Sequence, residues 1–271
     1  MRILFIGGDK RMNYAADRLS AKHTVERLGL GELAAPDGKF GAVVLPLPLT
    51  KNGNNIAAPL SDKPLTFDVI SEFADKDAVI FAGGECSALT KICAENGFTL
   101  VNYFAEESLT LKNAALTAEA ACALLSQSTD GALLSSRTLI TGYGRISRML
   151  AHRLTANGSS VTVAARRAEQ RTLAELDGFS AVHTAQLGEV VERYDFIANT
   201  VPYELFTAAD FEKAKRGAVF MELASLPGQP SKPLAESAGV QYIYAPGLPG
   251  KYSPKAAGEA IADTVTDILS K

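Results

Sequence analysis

A glycine-rich turn carries the clearest chemical signal in this sequence. It lies between an apolar run over 138–141 and a predicted helix over 144–157, and it reads Gly142, Tyr143, Gly144, Arg145, Ile146 and Ser147. In such a turn the first glycine permits a sharp bend, the second lets the backbone approach a pyrophosphate, and the helix N-terminus stabilises the anion. Ser147 stands where a glycine or alanine usually packs the helix against the strand. The first five residues therefore predict a dinucleotide-binding turn, and a purely structural turn is the alternative.

Two arginines follow the next apolar run, 160–164. At roughly 20 residues beyond such a turn, an acidic residue usually holds the ribose 2′-hydroxyl. This chain has Ala165, Arg166 and Arg167 there, with no carboxylate in the position that would compete. Guanidinium groups bind phosphate through paired hydrogen bonds, so Arg166 and Arg167 predict NADP as the cofactor, with NAD as the alternative. Two solvated loop arginines are the other interpretation.

The loops after three later apolar runs are expected to border the same site. Ligands of open α/β sheets bind outside the carboxyl ends of the strands. Thr200 and Pro202 follow the run over 195–198 and are predicted to contact the cofactor, although Pro202 can equally serve to end a strand. Ser225 and Lys251 lie in the next two loops and are predicted to be catalytic polar groups where nicotinamide and substrate meet. An exposed loop lysine is the alternative for Lys251.

Two cations lie beside a second glycine turn near the N-terminus. Lys10 and Arg11 follow Gly8 and Asp9, at the carboxyl end of the apolar run over 2–6. Positive charge is slightly unfavourable at a helix N-terminus, which favours a function such as binding a substrate carboxylate. The three histidines, His23, His152 and His183, fall away from the predicted sheet edges, and none is predicted to be the catalytic base.

The elements that must position these residues form two similar series of short strands and helices. The predicted strands are 2–6, 23–28, 41–46, 78–82 and 98–101, then 138–141, 160–164, 195–198, 218–223 and 240–244. Strands that alternate with helices imply parallel sheets, so the predicted class is α/β with two Rossmann-like domains joined by a helix.

The predicted domain boundaries follow from this series. The first domain, flavodoxin- or Rossmann-like and assigned to substrate, spans 1–115; a linking helix spans 116–129; the nucleotide-binding Rossmann domain spans 130–250; and a C-terminal helix within 251–271 returns to the first domain. The segment 50–64, rich in Asn, Gly and Pro, is predicted to be a loop.

Composition excludes several classes of protein. The 271 residues include 27 basic and 30 acidic side chains, for a net charge of −3, so a broad nucleic-acid surface is not expected. The N-terminal apolar run is too short for a signal peptide or a membrane span. Three cysteines without C-x-x-C spacing predict a cytoplasmic protein with no metal site. Homo-oligomer formation is left open.

Five stretches of the sequence together resemble the dipicolinate synthase A subunit family of spore-forming bacteria. They are GGDKR at 7–11, PLPLT at 46–50, NAALTAEAA at 113–121, GYGRIS at 142–147 with AAR at 164–166, and ELASLPG at 222–228 followed by PGLPGKYSPKAAG at 246–258. The resemblance covers nearly the whole chain. Leu116 and Ala120 depart from it, since the family usually has proline and glycine at these positions.

The resemblance implies oxidation of a dihydrodipicolinate-type precursor to dipicolinic acid during sporulation, with a nicotinamide cofactor. It also implies a partner, a smaller and flavoprotein-like B subunit. The small dicarboxylate substrate is expected to contact Arg11, Asn113 and Thr117. Glu119 and Lys251 are the two alternatives for accepting the proton that leaves the substrate.

Two other functions compete with this interpretation. A dehydrogenase of 2-hydroxy or amino acids shares the two-domain plan, but it would normally show an arginine and a histidine near the fifth and sixth strands. A non-catalytic subunit that senses nucleotides is the second alternative, because the sequence shows no obvious catalytic base.

Overall fold

The computed structural model describes residues 1–31, 34–51, 53–225 and 232–271. The chain divides into two compact units. The first unit comprises Met1–Asn113 together with Gly250–Lys271, and the second unit is the continuous segment Ala114–Pro249. No helix within the described ranges is both long enough and apolar enough to cross a lipid bilayer.

The strands and helices alternate along the chain. The strands are β1 (Arg2–Ile6), β2 (Thr24–Leu28), β3 (Phe40–Val44), β4 (Asn55–Ile56), β5 (Leu65–Thr66), β6 (Ala74–Ala82), β7 (Thr99–Asn102), β8 (Arg137–Thr141), β9 (Ser160–Ala164), β10 (Ser180–Val182), β11 (Phe196–Asn199), β12 (Val219–Glu222) and β13 (Gln241–Tyr244). The helices are α1 (Lys10–Leu19), α2 (Val69–Phe73), α3 (Ser87–Asn96), α4 (Glu107–Gln127), α5 (Arg145–Ala156), α6 (Ala168–Leu176), α7 (Leu187–Val190), α8 (Ala208–Lys213), α9 (Lys232–Ser237), α10 (Leu248–Tyr252) and α11 (Pro254–Leu269).

A five-stranded parallel sheet forms the centre of the first unit. Its order is β2-β1-β3-β6-β7, and β4 pairs separately with β5 in antiparallel orientation. Because successive strand residues point to opposite faces, Phe5 packs into one apolar cluster and Leu4 into another. Both faces are therefore covered, as is typical of parallel sheets. On the Phe5 face, α11 packs against α1 and buries Ile261 and Val265.

A six-stranded parallel sheet forms the second unit. Its order is β10-β9-β8-β11-β12-β13, which is the Rossmann order 3-2-1-4-5-6. The final residues of the adjacent strands β8, β11, β12 and β13 lie in register. Asn199 is paired with Thr141 on one side and with Glu222 on the other. Glu222 is in turn paired with Tyr244. These four residues mark the carboxyl edge of the sheet. The two parallel sheets confirm the predicted α/β class.

Three predicted elements differ from the structure. The helix predicted over 116–129 begins at Glu107 and ends at Gln127, because residues 107–115 also favour helix and an acidic residue suits the first turn. The predicted loop 50–64 contains the two-residue strand β4. Lys251 lies in the short helix α10 rather than in a loop, since Pro249 is compatible with the first turn of a helix.

Candidate functional site

The first glycine of the turn after β8 is fixed by its surroundings. Gly142 has a φ of +78°, a left-handed conformation that side chains disfavour. A Cβ at this position would lie 2.8 Å from Cγ2 of Val201 and 3.0 Å from Oγ1 of Thr200. The N–H of Gly142 donates to the carbonyl of Ala164 on β9 at 2.9 Å. The turn therefore brings β8, β9 and the loop after β11 together, and only glycine fits there.

The second glycine faces open space. A Cβ built on Gly144 would meet no atom within 4 Å, and α5 begins immediately after this residue. The Ser147 hydroxyl accepts from the Gly144 N–H at 2.7 Å, and Ser147 is fully buried. An accessible backbone at the N-terminus of a twelve-residue helix fits the pyrophosphate of a dinucleotide. Ser147 thus meets the requirement for a small third residue and also closes the turn.

The Tyr143 side chain points into the second unit rather than toward a ligand. Its hydroxyl donates to Oδ2 of Asp177 at 2.6 Å, and its ring packs edge-on against Phe179. Arg148 also donates to Asp177, at 3.1 Å. The hydrogen bond from Tyr143, followed by the charge of Arg148, holds the pKa of Asp177 below its ordinary value, while burial raises the pKa of Tyr143. Only the backbone of Tyr143 is left to line the turn.

The remaining residues predicted around the turn lie at its rim. Arg145 is exposed on α5, and Ile146 is half-buried against the apolar core of the unit. Thr200 donates its hydroxyl to the carbonyl of Thr141 at 2.7 Å, which ties the loop after β11 to β8. Pro202 is exposed two residues further on.

The two arginines predicted to read a 2′-phosphate are both exposed just beyond β9. Arg171 donates to the carbonyl of Arg166 at 2.7 Å and so fixes the backbone of this loop. Arg167 lies 3.9 Å from the carboxylate of Glu169. The expectation that no carboxylate competes is therefore wrong for Arg167, because the start of α6 brings Glu169 to it. Arg166 is in none of the ion pairs found in the described ranges.

A buried Asn–Glu pair at the carboxyl edge is a feature that the sequence did not reveal. Asn199 and Glu222 are both fully buried. Nδ2 of Asn199 lies 3.0 Å and 2.9 Å from the two carboxylate oxygens of Glu222, and the N–H of Ala224 donates to the same carboxylate at 2.8 Å. Burial raises the pKa of Glu222, and these N–H donors oppose that rise. A lone acidic residue ending an apolar strand was the available signal.

The second unit also contains two of the predicted catalytic residues. Ser225 is exposed after β12. The last three residues of the ELASLPG stretch, 226–228, lie outside the described residues. Glu119 is exposed on α4, and its carboxylate lies 3.8 Å from the guanidinium of Arg153. Thr117 is buried on the same helix.

In the first unit, Arg11 is buried and already bonded within the protein. Its Nε and Nη2 donate to the two carboxylate oxygens of Asp9 at 2.9 Å and 2.8 Å, and Nη2 also donates to the carbonyl of Leu47. A Cβ on Gly250 would lie 2.9 Å from Nε of Arg11, so Gly250 covers this ion pair. Lys251, the next residue, is exposed. Asn113 is half-buried on α4.

Comparison with known families agrees with this geometry in both halves of the chain. Residues 115–225 match the D-isomer specific 2-hydroxyacid dehydrogenase, NAD binding domain. With the strand order of the second unit, this match defines the chain as a nicotinamide-dependent oxidoreductase. Residues 2–104 match the N-terminal domain of the dipicolinate synthase A subunit. The predicted resemblance to the dipicolinate synthase A subunit family is thereby confirmed.

Individual relatives extend this similarity over the full length. The dipicolinate synthase A subunit of Bacillus subtilis (strain 168) is 25% identical over 288 residues, which cover 100% of this chain and 96% of the relative. The crystal structure of dipicolinate synthase, A chain, from Bacillus subtilis has a TM-score of 0.85 at 26% identity, covering 100% of this chain and 96% of that chain. The A-subunit structure from Bacillus halodurans has the same fold, with a TM-score of 0.87 at 24% identity and coverage of 100% and 98%.

Proposed function

We propose that this protein is the A subunit of a dipicolinate synthase, which oxidises a dihydrodipicolinate-type precursor to dipicolinic acid in the cytoplasm of a sporulating cell. The observation that carries the proposal is the similarity to the dipicolinate synthase A subunit over the whole chain, with a dinucleotide turn intact in the second unit. The name of that relative supports the presence of a partner, here a smaller flavoprotein-like B subunit.

The proposed reaction removes a hydride and a proton from the substrate ring. A nicotinamide held at the glycine turn would supply the acceptor for the hydride and its two electrons, and a base of the protein would receive the proton, so that the ring becomes aromatic. Aromatisation favours hydride loss. The protein then has to bind cofactor and substrate, orient them and receive one proton.

The cofactor contacts are assigned to the carboxyl edge of the second unit. Gly142 and Gly144, with the N-terminus of α5, would hold the pyrophosphate, since the Gly144 backbone is accessible. Thr200 and Pro202 would line the neighbouring loop. Arg166, exposed and with its carbonyl fixed by Arg171, supports a preference for NADP over NAD, with Arg167 contributing less because of Glu169.

The substrate contacts are assigned to cationic and polar residues. A dicarboxylate needs positive charge, and Lys251 is exposed directly after the residue that covers Arg11. Arg11 itself is bonded to both carboxylate oxygens of Asp9, which offsets its charge, so Lys251 would be the main cationic contact and Arg11 would contribute less. Asn113 and Thr117 on α4 complete the proposed set.

The base remains one of two residues, with Ser225 as a polar neighbour. Glu119 is exposed, and its carboxylate lies 3.8 Å from the guanidinium of Arg153. Lys251 would have to be deprotonated before it could accept a proton. If Glu119 is the base, Glu119→Gln loses turnover while binding substrate normally. If Lys251 is the base, Glu119→Gln keeps its turnover, and Lys251→Met loses turnover together with substrate affinity.

The test is turnover of a dihydrodipicolinate-type substrate with NADP and with NAD, in the presence and absence of a B-type subunit. The expected result is dipicolinate and reduced nicotinamide in equal amounts. Oxidation of a 2-hydroxy acid, with no oxidation of the dihydrodipicolinate-type substrate, would show that the protein is a 2-hydroxyacid dehydrogenase. The family match over residues 115–225 is the observation that makes this the second candidate function. Nucleotide binding without turnover under any of these conditions would show a nucleotide-sensing subunit.

A further inference from the structure

Glu222 is a buried charged group that no other part of the proposed function uses. Among the described residues, the charged side chains that are buried are Arg11 and Glu222. Arg11 has Asp9 as its counter-ion. In the described part of the chain Glu222 takes part in no ion pair, and its carboxylate contacts the Asn199 amide and the N–H of Ala224.

The hydrogen bonds around Glu222 fit an ionised carboxylate. The backbone of Val201 fixes the orientation of the Asn199 amide. The Val201 N–H can only donate a hydrogen bond, and it lies 3.3 Å from Oδ1 of Asn199. The Val201 carbonyl can only accept one, and it lies 3.0 Å from Nδ2. Nδ2 of Asn199 therefore faces Glu222 and shares its second hydrogen between the two oxygens. Since the Ala224 N–H is also a donor, a proton on Glu222 would find no acceptor among these contacts.

Such a carboxylate is costly to bury unless something offsets its charge. An isolated ionised group in a protein interior loses its hydration, and proteins normally pair it with a cation. Titratable groups whose pKa is shifted by burial are found preferentially at functional sites. The three N–H contacts offset part of the cost, and a cationic ligand would offset more.

The position of Glu222 in the sheet indicates which ligand group this is. In a sheet of this order, the dinucleotide crosses the carboxyl edge with one mononucleotide on each half. The pyrophosphate turn belongs to β8, and the arginines proposed to mark the adenosine end follow β9. Glu222 ends β12, in the opposite half, which would receive the nicotinamide. An oxidised nicotinamide ring carries one positive charge, and a reduced ring carries none.

We propose that Glu222 is a specificity-determining residue whose buried carboxylate makes the second unit bind the oxidised nicotinamide more tightly than the reduced form. Asn199 is its positioning residue, holding the carboxylate while linking it to the loop that begins at Thr200. Hydride transfer would remove the attraction and so speed release of the reduced cofactor. This inference rests on the proposed nicotinamide-dependent function.

The experiment is a calorimetric titration of the full-length chain with the oxidised and reduced forms of NAD and of NADP. The wild-type protein is expected to bind the oxidised form about tenfold more tightly than the reduced form, a difference of about 1.4 kcal/mol. Glu222→Gln should bring the two affinities close together. Glu222→Asp keeps the charge on a shorter side chain and should retain most of the preference. Glu175→Gln removes an exposed carboxylate of the same unit and should change neither affinity.

Comparing the Gln and Asp variants separates charge from position. Both disturb the hydrogen bonds with Asn199, but only the Gln variant loses the charge. An unchanged ratio of oxidised to reduced affinity in Glu222→Gln would overturn the proposal while leaving nicotinamide binding intact. Tighter binding of the reduced form by the wild-type chain would overturn it even if Glu222→Gln did not fold. If the wild-type chain bound neither form, the proposed function itself would fail.

Discussion

Three glycine-to-alanine variants of the second unit separate cofactor binding from folding. Each adds a single methyl group, but the surroundings differ. Gly142 has a left-handed φ and two close neighbours, Gly144 has neither, and Gly178 has a φ of +90° with no atom within 4 Å of its added Cβ. The variant Gly178→Ala is therefore a control for backbone strain alone.

The expected stability changes follow from these contacts. Placing a side chain in the left-handed region costs about 1–2 kcal/mol, which is the whole effect expected for Gly178→Ala. Gly142→Ala adds a clash with Val201 and Thr200, so its total cost is about 2–5 kcal/mol. Gly144 precedes α5 as its N-cap, where alanine is a poorer residue than glycine, and the cost is about 0.5 kcal/mol.

The expected affinities follow a different order. Gly144→Ala fills the space that the pyrophosphate would approach, so we expect at least a tenfold loss of nucleotide affinity despite near-normal stability. Gly178→Ala should bind as the wild type does. Urea unfolding followed by circular dichroism measures stability, and calorimetry measures affinity. Unimpaired binding by Gly144→Ala would refute the placement of the pyrophosphate, and equal stability of Gly142→Ala and Gly178→Ala would refute the contact with Val201.

Three further predictions concern charged and hydroxyl groups. Replacing both Arg166 and Arg167 with alanine should lower the affinity for NADP at least tenfold in a binding titration and leave the affinity for NAD unchanged. An equal loss of affinity for both nucleotides would contradict a 2′-phosphate contact. Lys251→Ala should raise KM for the dicarboxylate with little change in cofactor affinity, and a melting temperature well below that of the wild type would indicate a structural role instead. Tyr143→Phe should lower stability at neutral pH by about 1–2 kcal/mol, because it removes a hydrogen bond to a carboxylate. The hydrogen bond from Tyr143 holds the pKa of Asp177 below its ordinary value of 3.8, so this bond stabilises the fold above pH 3.8 and loses its effect as the pH falls through the lowered pKa. The free energies of unfolding of the wild type and of Tyr143→Phe should therefore converge in acid.

The fold and the glycine turn could be predicted because their signals are local. An apolar run, a glycine pair and a helix start lie within about twenty residues of each other, and each is specified by its own sequence. The alternation of strands and helices then restricts the topology to parallel sheets. The start of α4 was predicted too late because polar residues separate the first apolar residues of the helix, Leu109 and Leu111, from the continuous alanine-rich run that begins at Ala114.

The contacts that complete the site could not be predicted, because they depend on strand register. Asn199 and Glu222 are separated by 23 positions, and they meet only because β11 and β12 pair with their last residues level. The bond from Arg11 to the carbonyl of Leu47 depends in the same way on how β1 and β3 pair. A sequence shows that such residues exist, but the pairing of strands decides which of them touch.

The division of the first unit into two separate stretches has a consequence for synthesis on the ribosome. Its sheet is made before residue 114, but the face of α1 that includes Met12 and Leu19 is covered by α11, which emerges only after the whole second unit. At roughly 5–20 residues per second, translation of Ala114–Pro249 takes on the order of ten seconds. During that interval an apolar surface of the nascent chain lacks its partner and is available to chaperones or to neighbouring chains. The second unit, which is continuous, can finish folding first, and the first translated unit is the last to become complete.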